Sequence, residues 1–278
     1  MKLQHIALLA AAAAAFYSCQ QDLDVHQHVV EDASDRLITF TAEGEGLSTE
    51  VATKATAVTS LSSFNVSATT GTAGSETTKW NSVAFSGSTS YTGGKYWPAS
   101  DPSYHFYAAN APITFAAGGS TVAPDGSTDV VVAYLASPAY GASNALTFNH
   151  VYARVGSVSI SAASGTLSNV SATLKNVATG GTYNIRTGAW TAGTKADKTL
   201  TVGSNDLYVV PGTYSLSVTY TVSNGDYSAT FTKSGNVTLQ QGKVNNISAT
   251  SPNTSTAITF TVSVTAWGTA SVSAGTLS

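Results

Sequence analysis

From residue 36 onward, apolar side chains recur at every second position, the spacing of a strand with one face on a core and one in water. Ile38, Phe40 and Ala42 alternate with Thr39 and Thr41; Phe64, Val66 and Ala68 repeat the pattern, as do Tyr104, Phe106 and Ala108. The longest run is Tyr214, Leu216, Val218, Tyr220 and Val222, separated by serines and threonines. It leads into Asn224-Gly225, a dipeptide suited to the positive φ angles of a tight hairpin, with Tyr227, Ala229 and Phe231 as the returning strand. Ile258, Phe260, Val262, Val264 and Ala266 form a further strand ending at Trp267. Residues 130–135 are continuously apolar, as expected of a strand buried on both faces. Between 146 and 162 the phase slips at Gly156: Val151, Ala153 and Val155 share one parity, Val158 and Ile160 the other. A bulge, a sharp bend or a passage between domains would each produce that slip.

No stretch has convincing helical spacing. Many short strands punctuated by Gly, Asn, Pro and Ser predict an all-β chain of antiparallel β-sandwiches rather than an α/β fold. At roughly 150 residues per domain the length suggests about two domains. The expected division is a leader at 1–18, a tether at 19–35, an N-terminal β-sandwich at 36–147 and a C-terminal β-sandwich at 148–278. No internal repeat of fixed period points to a solenoid or a propeller.

Composition narrows the function. Hydrophobic residues make up 42% of the chain, enough for packed cores, and charged residues only 10%, against a usual share of roughly 25%. A net charge of -3 gives no basic footprint for nucleic acid. The one cysteine, Cys19, excludes a disulfide framework, a thiolate metal site and a redox pair. Its position suggests another use. Lys2 followed by the short apolar stretch 6–16 reads as a secretory signal, and Phe16-Tyr17-Ser18-Cys19 resembles a bacterial lipobox. Cleavage before Cys19 would leave it to carry lipid. Each buried methylene contributes about 0.8 kcal/mol, so two or more acyl chains hold a protein stably on a membrane. Asp22 and Asp24 resemble tags that direct lipoproteins to the outer face of the outer membrane.

Catalytic and metal chemistry find little footing. His26 and His28 flank Gln27 in the tether, without an evident third ligand for a metal. His105 reads as a half-buried strand residue and His150 as a partner of a neighbouring backbone group. No Gly-x-Ser-x-Gly elbow in a strand-to-helix setting accompanies the serines and histidines. More than half of the acids precede residue 51, leaving few for a carboxylate pair. No phosphate loop or calcium loop is present. No cofactor is expected. Trp80, Tyr91, Tyr96, Trp97, Tyr104 and Tyr107 crowd the N-terminal half; exposed, they could stack on sugars and make a glycan-binding outer-membrane lipoprotein, whereas buried they are core and cross-strand pairs.

A set of fragments in order along the chain carries a family resemblance. After the lipobox come Leu37-Ile38-Thr39-Phe40-Thr41-Ala42, then Thr53-Lys54-Ala55-Thr56 and Leu61-Ser62-Ser63-Phe64-Asn65-Val66-Ser67-Ala68. Tyr96-Trp97-Pro98, Tyr104-His105-Phe106-Tyr107-Ala108-Ala109 and Leu146-Thr147-Phe148-Asn149-His150 with Ala153-Arg154-Val155 follow. Pro211-Gly212-Thr213-Tyr214, Gly242-Lys243-Val244 and Val262-Ser263-Val264-Thr265-Ala266-Trp267 complete the set. Together they resemble the fimbrillin-like, or type V pilin, proteins of Bacteroidetes. The resemblance implies two tandem transthyretin-like sandwiches, a lipid on Cys19, and a place in a fimbrium at the cell surface, contributing to adhesion. It also implies assembly with other pilus subunits by strand exchange, after a trypsin-like protease removes the first strand. In this sequence that strand is 37–42 and the cut falls after Lys54, in the polar stretch 43–57, where the family often has arginine. Arg36 is the rival site, but a cut there leaves the first strand attached. Read without the resemblance, Lys54 is a surface lysine. Residues 268–278 are either a weak donor strand, with Ala270, Val272 and Ala274 alternating, or the last strand of the chain's own sheet. The small side chains favour a tip or accessory subunit over a stalk subunit.

Overall fold

The computed structural model describes residues 36–44, 61–72, 74–116, 118–251 and 260–267, and these contain strands and connecting loops with no α-helix. In chain order the first strands are β1 (Leu37–Gly44), β2 (Ser63–Thr70), β3 (Thr77–Gly87), β4 (Tyr91–Tyr96), β5 (Tyr104–Ala109), β6 (Thr121–Val122), β7 (Val131–Leu135) and β8 (Asn144–His150). There follow β9 (Ala153–Ala162), β10 (Thr166–Ala178), β11 (Gly181–Asn184), β12 (Trp190–Ala192), β13 (Lys195–Leu200), β14 (Gly203–Val209), β15 (Gly212–Asn224), β16 (Tyr227–Leu239), β17 (Lys243–Ser251) and β18 (Phe260–Ala266).

The all-β expectation holds, with one difference of form. The N-terminal strands do not stay open: in the order β1-β4-β3-β2-β5-β7-β8 they close into a barrel. Closure comes from β1, which runs antiparallel to β4 and parallel to β8. Alternation marks a strand and its buried face but not the partner on its far side, so it cannot separate an open sheet from a closed one. The barrel is filled by Ile38, Phe40, Phe64, Phe85, Phe106, Leu146 and Phe148.

Two four-stranded sheets, β13-β10-β15-β16 and β14-β9-β17-β18, share a second core that includes Val155, Leu174, Leu216, Val218, Tyr220 and Ile247. A small sheet, β12-β11-β6, joins β6 to the C-terminal half of the chain. Tyr107, Val132, Tyr152, Tyr183, Tyr208 and Trp267 belong to a third core that ties barrel strands to the open sheets. This explains the unbroken apolar run at 130–135. Val131 and Ala133 face the barrel interior while Val130 and Val132 face the third core.

The slip at Gly156 is a bulge. β17 pairs Asn245 with Val155 but Asn246 with Ser157, leaving Gly156 unmatched. A Cβ on Gly156 would lie 2.4 Å from Val244 Cγ1 and 2.8 Å from Asn246 Oδ1. The long hairpin turns one residue later than the sequence suggests. Asn224 pairs with Tyr227, so the two turn residues are Gly225 and Asp226, with Gly225 at φ 62°. A glycine at the first of two turn positions suits that left-handed conformation.

Candidate functional site

Among the residues singled out by sequence, those around β1 form a defined site. Ile38 and Phe40 are fully buried, while Thr39 and Thr41 are only half covered. The Phe40 ring lies 5.2 Å from Phe85 and 5.0 Å from Phe106, tilted by 59° and 83°, the inclined arrangements that aromatic quadrupoles favour. On one side β1 pairs Thr39 with Thr92 and Phe40 with Tyr91; on the other it pairs Phe40 with Asn144 and continues to Gly44 opposite Phe148. The first half of β1 is thus held by β4 and the second half by β8, the two ladders meeting at Phe40. Withdrawing β1 would leave β4 and β8 each with an unpaired edge above an exposed aromatic interior, an arrangement that accepts another strand.

The processing residues differ in what surrounds them. The Arg36 carbonyl accepts a hydrogen bond from the Trp97 amide at 2.7 Å, and its guanidinium donates to the Trp97 carbonyl at 3.0 Å. Cys19, Lys54, His26, His28 and the 268–278 tail lie outside the described residues.

The aromatic set does not form a sugar platform. Tyr91, Trp97, Tyr104 and Tyr107 are buried. Trp80 packs 5.9 Å from Phe85 and 6.0 Å from Phe106, with the Lys95 ammonium 5.9 Å from its ring centre. Tyr96 alone of the six is broadly exposed, at 53%.

The two histidines among the described residues sit in strands, His105 in β5 and His150 in β8. His105 Nδ1 pairs with the Tyr134 hydroxyl at 3.0 Å and Nε2 lies 3.1 Å from the Gly71 carbonyl. His150 departs from its expected backbone partner. Its Nδ1 meets Asp129 Oδ2 at 2.8 Å, both side chains buried, and its ring stacks on Trp267 at 4.3 Å and 19°. Enclosed in this way, the pair braces the third core. No group of three or more metal-ligating side chains occurs among the described residues.

A cleft of about 560 Å³ opens at the junction of barrel and open sheets, bordered by Tyr134, Thr147, Asn149, His150, Arg186 and Gln241. Arg186, from the β11–β12 turn, forms an ion pair with Glu76 and donates to the Tyr107 hydroxyl. Tyr107 in turn donates to Glu76 Oε1 at 2.8 Å. Burial lowers the affinity of Arg186 for its proton and raises that of the Tyr107 phenol. Sequence reading missed this cluster because its members lie on separate elements. The one available signal was Glu76, an isolated acid in a stretch poor in charge.

Residues 48–267 match the protein family described as fimbrillin-like. No curated protein matches the chain in sequence. In three dimensions it is similar to a fimbrial protein from Bacteroides vulgatus, with 15% identity and a TM-score of 0.55, covering 84% of this chain and 99% of that one. It is similar too to a candidate cell adhesion protein from Bacteroides uniformis, with 16% identity and a TM-score of 0.54, covering 84% and 97%.

Proposed function

This chain belongs to the fimbrillin-like family, and on that premise we propose that it is a non-catalytic pilus subunit, held at the outer membrane by lipid on Cys19 and joined to other subunits through the slot of β1. A cut after Lys54 frees β1, and a strand of another subunit takes its place. The observation that supports this most is the pairing of β1 with both β4 and β8, together with the full burial of Ile38 and Phe40. A strand so placed holds the barrel together, and its loss creates a site that only an extended chain can fill. Arg36 is the poorer place to cut, because its carbonyl and side chain are both bonded to Trp97.

We read both halves as variants of one transthyretin-like plan, divided near residues 147 and 148. In each, an early strand runs parallel to a late one: β1 beside β8, and β9 beside β17. Each early strand also has an antiparallel neighbour on its other side, β4 and β14 respectively. With 268–278 as the donor, the small side chains of that tail favour a tip or accessory position over the stalk. At the surface the subunit contributes to adhesion. The glycan-binding alternative loses support with the burial of most of its aromatic candidates.

Limited trypsin treatment of the lipid-free protein tests this reading. The expected result is a new N-terminus at Ala55, release of β1 and the appearance of oligomers. Cleavage confined to residues before Leu37, with β1 retained, overturns it.

A further inference from the structure

We infer that the cleft where the barrel meets the open sheets is a binding site for a neutral, hydroxyl-rich ligand, a sugar unit of a glycan. The site draws no residue from β1 and does not depend on strand exchange. It exists because two barrel strands part. β7 and β8 pair only at Val131 with His150 and at Val132 with Asn149. A continued register would set Tyr134 opposite Thr147, but the ladder ends first, and both residues border the cleft instead. The β11–β12 turn and the β16–β17 turn border it from the other half of the chain. At about 560 Å³ the cleft falls within the roughly 300–1,000 Å³ of small-molecule sites.

Its polar groups are held in place, and each keeps a bonding position open. The Arg186 guanidinium lies over the Tyr107 and Tyr134 rings, at 5.6 and 5.2 Å, and its Nη2 makes the contacts to Glu76 and the Tyr107 hydroxyl. Its other two nitrogens have no hydrogen-bond partner among the described residues. Gln241 Nε2 donates to the His150 carbonyl at 3.2 Å and to the Tyr183 hydroxyl at 3.1 Å, which fixes the amide and leaves Oε1 to accept. The Tyr183 hydroxyl, having accepted that bond, keeps its own proton to donate. Gly188, at φ 70°, leaves room beside it, since a Cβ there would lie 3.4 Å from the phenol oxygen. Asn149 spends its Nδ2 on the Thr147 carbonyl at 3.4 Å and keeps Oδ1 as an acceptor. Donors and acceptors thus stand side by side, which suits hydroxyl groups, each able to give and to take a hydrogen bond.

Charge and packing decide against the nearer rivals. Arg186 is offset by Glu76, and the buried Asp129 faces His150, so the residues bordering the cleft carry no surplus positive charge to draw an anion. A planar base finds no platform, because the Tyr134 ring already has Arg186 over it and His105 stacked with it, 6.2 Å away at 7°. A wholly apolar ligand would strip water from Arg186, Gln241 and Tyr183 and return no hydrogen bonds. A sugar ring satisfies those groups with its hydroxyls, while Val132 and Ile185 offer apolar contact to its C–H face.

The test uses the full mature chain, made without lipid and left uncut. Methyl glycosides of glucose, galactose, mannose and N-acetylglucosamine are screened by saturation-transfer NMR, with N-acetylneuraminic acid as the anionic probe and adenosine as the planar one. Calorimetry then measures the affinity of whatever binds. The expected result is binding of at least one neutral glycoside, with an affinity that added salt leaves unchanged. Asn149→Ala and Gln241→Ala, both at exposed positions, should each weaken it about tenfold, the worth of one well-placed hydrogen bond. Tyr96→Ser, outside the cleft, should leave it unchanged, and circular dichroism checks that all three variants are folded. Silence from every neutral glycoside, tighter binding of the anionic or planar probe, or an affinity indifferent to both cleft variants overturns the assignment. None of these outcomes bears on the β1 slot, which the trypsin experiment tests separately.

Discussion

At Phe40 the two requirements of a closing strand meet, since its backbone is paired on both sides and its ring fills the barrel. Phe40→Ala removes a fully buried ring that the surrounding aromatics cannot collapse around, so a loss of about 3–5 kcal/mol is expected. Urea unfolding measures it; a loss under about 1 kcal/mol would show that the barrel does not rest on β1. Buried phenols set the alkaline limit. Burial raises the pKa of Tyr107, Tyr152 and Tyr214 above the ordinary value of 10.0. Above pH 10 the unfolded chain releases phenolic protons that the folded chain retains, so stability is level below that pH and falls as pH rises beyond it. Tyrosinate absorbance should therefore rise in step with the loss of β-sheet circular dichroism. Smooth titration of every tyrosine before any unfolding would refute this. Phe40 was legible at this scale, because alternation marks inward positions. The partner of His150 was not, because Asp129 lies in the loop ahead of β7 and no local spacing connects them.

Elements were legible where their alternation runs unbroken and hidden where backbone irregularities reset it. β1, β2, β5, β15, β16 and β18 stand where period-two spacing predicts. β10 went unseen, and its ladders explain why. Its register shifts between Ser168 and Ser171 and again between Leu174 and Val177, around Asn169 at φ 51° and Asn176 at φ 54°. Each bulge swaps the parity of the residues beyond it, so no apolar stripe survives along the strand. β3 is interrupted similarly at Ser82, with φ 49°, opposite the break between Val66 and Ala68. The bulge in β9 is the legible exception, because Gly156 sits between two clean runs. Gly156→Val would push a branched side chain into Val244 and Asn246, and a cost of about 1–3 kcal/mol or more is expected. Chemical denaturation of that variant checks it, and wild-type stability would mean that β9 and β17 can part freely at this point.

For the whole molecule, the all-β class followed from local pattern, while barrel closure and the third core did not. Both depend on which far-separated strands meet, and composition carries no trace of that. The third core bears on cooperativity. Residues from β5, β7, β11 and β14 share it with Trp267, which follows β18, and the Arg186–Glu76 pair adds a polar tie across the same junction. Neither half can unfold without exposing that surface, so calorimetry should record one transition for the chain. Two resolved peaks would contradict the coupling. Trp267→Ala, which opens a large cavity among His150, Tyr208 and their neighbours, should lower that single midpoint rather than split it.

The double pairing of β1 has a mechanical side. β1 is bonded to β4 over residues 37–40 and to β8 over residues 40–44, and tension applied along its axis loads those bonds together, in shear. A strand held by one edge and pulled across its ladder gives way rung by rung, each at small force. Pulled along its axis, β1 would therefore hold until the whole strand slid, so its resistance would be set by the length of the paired strand and the grip on the Phe40 ring.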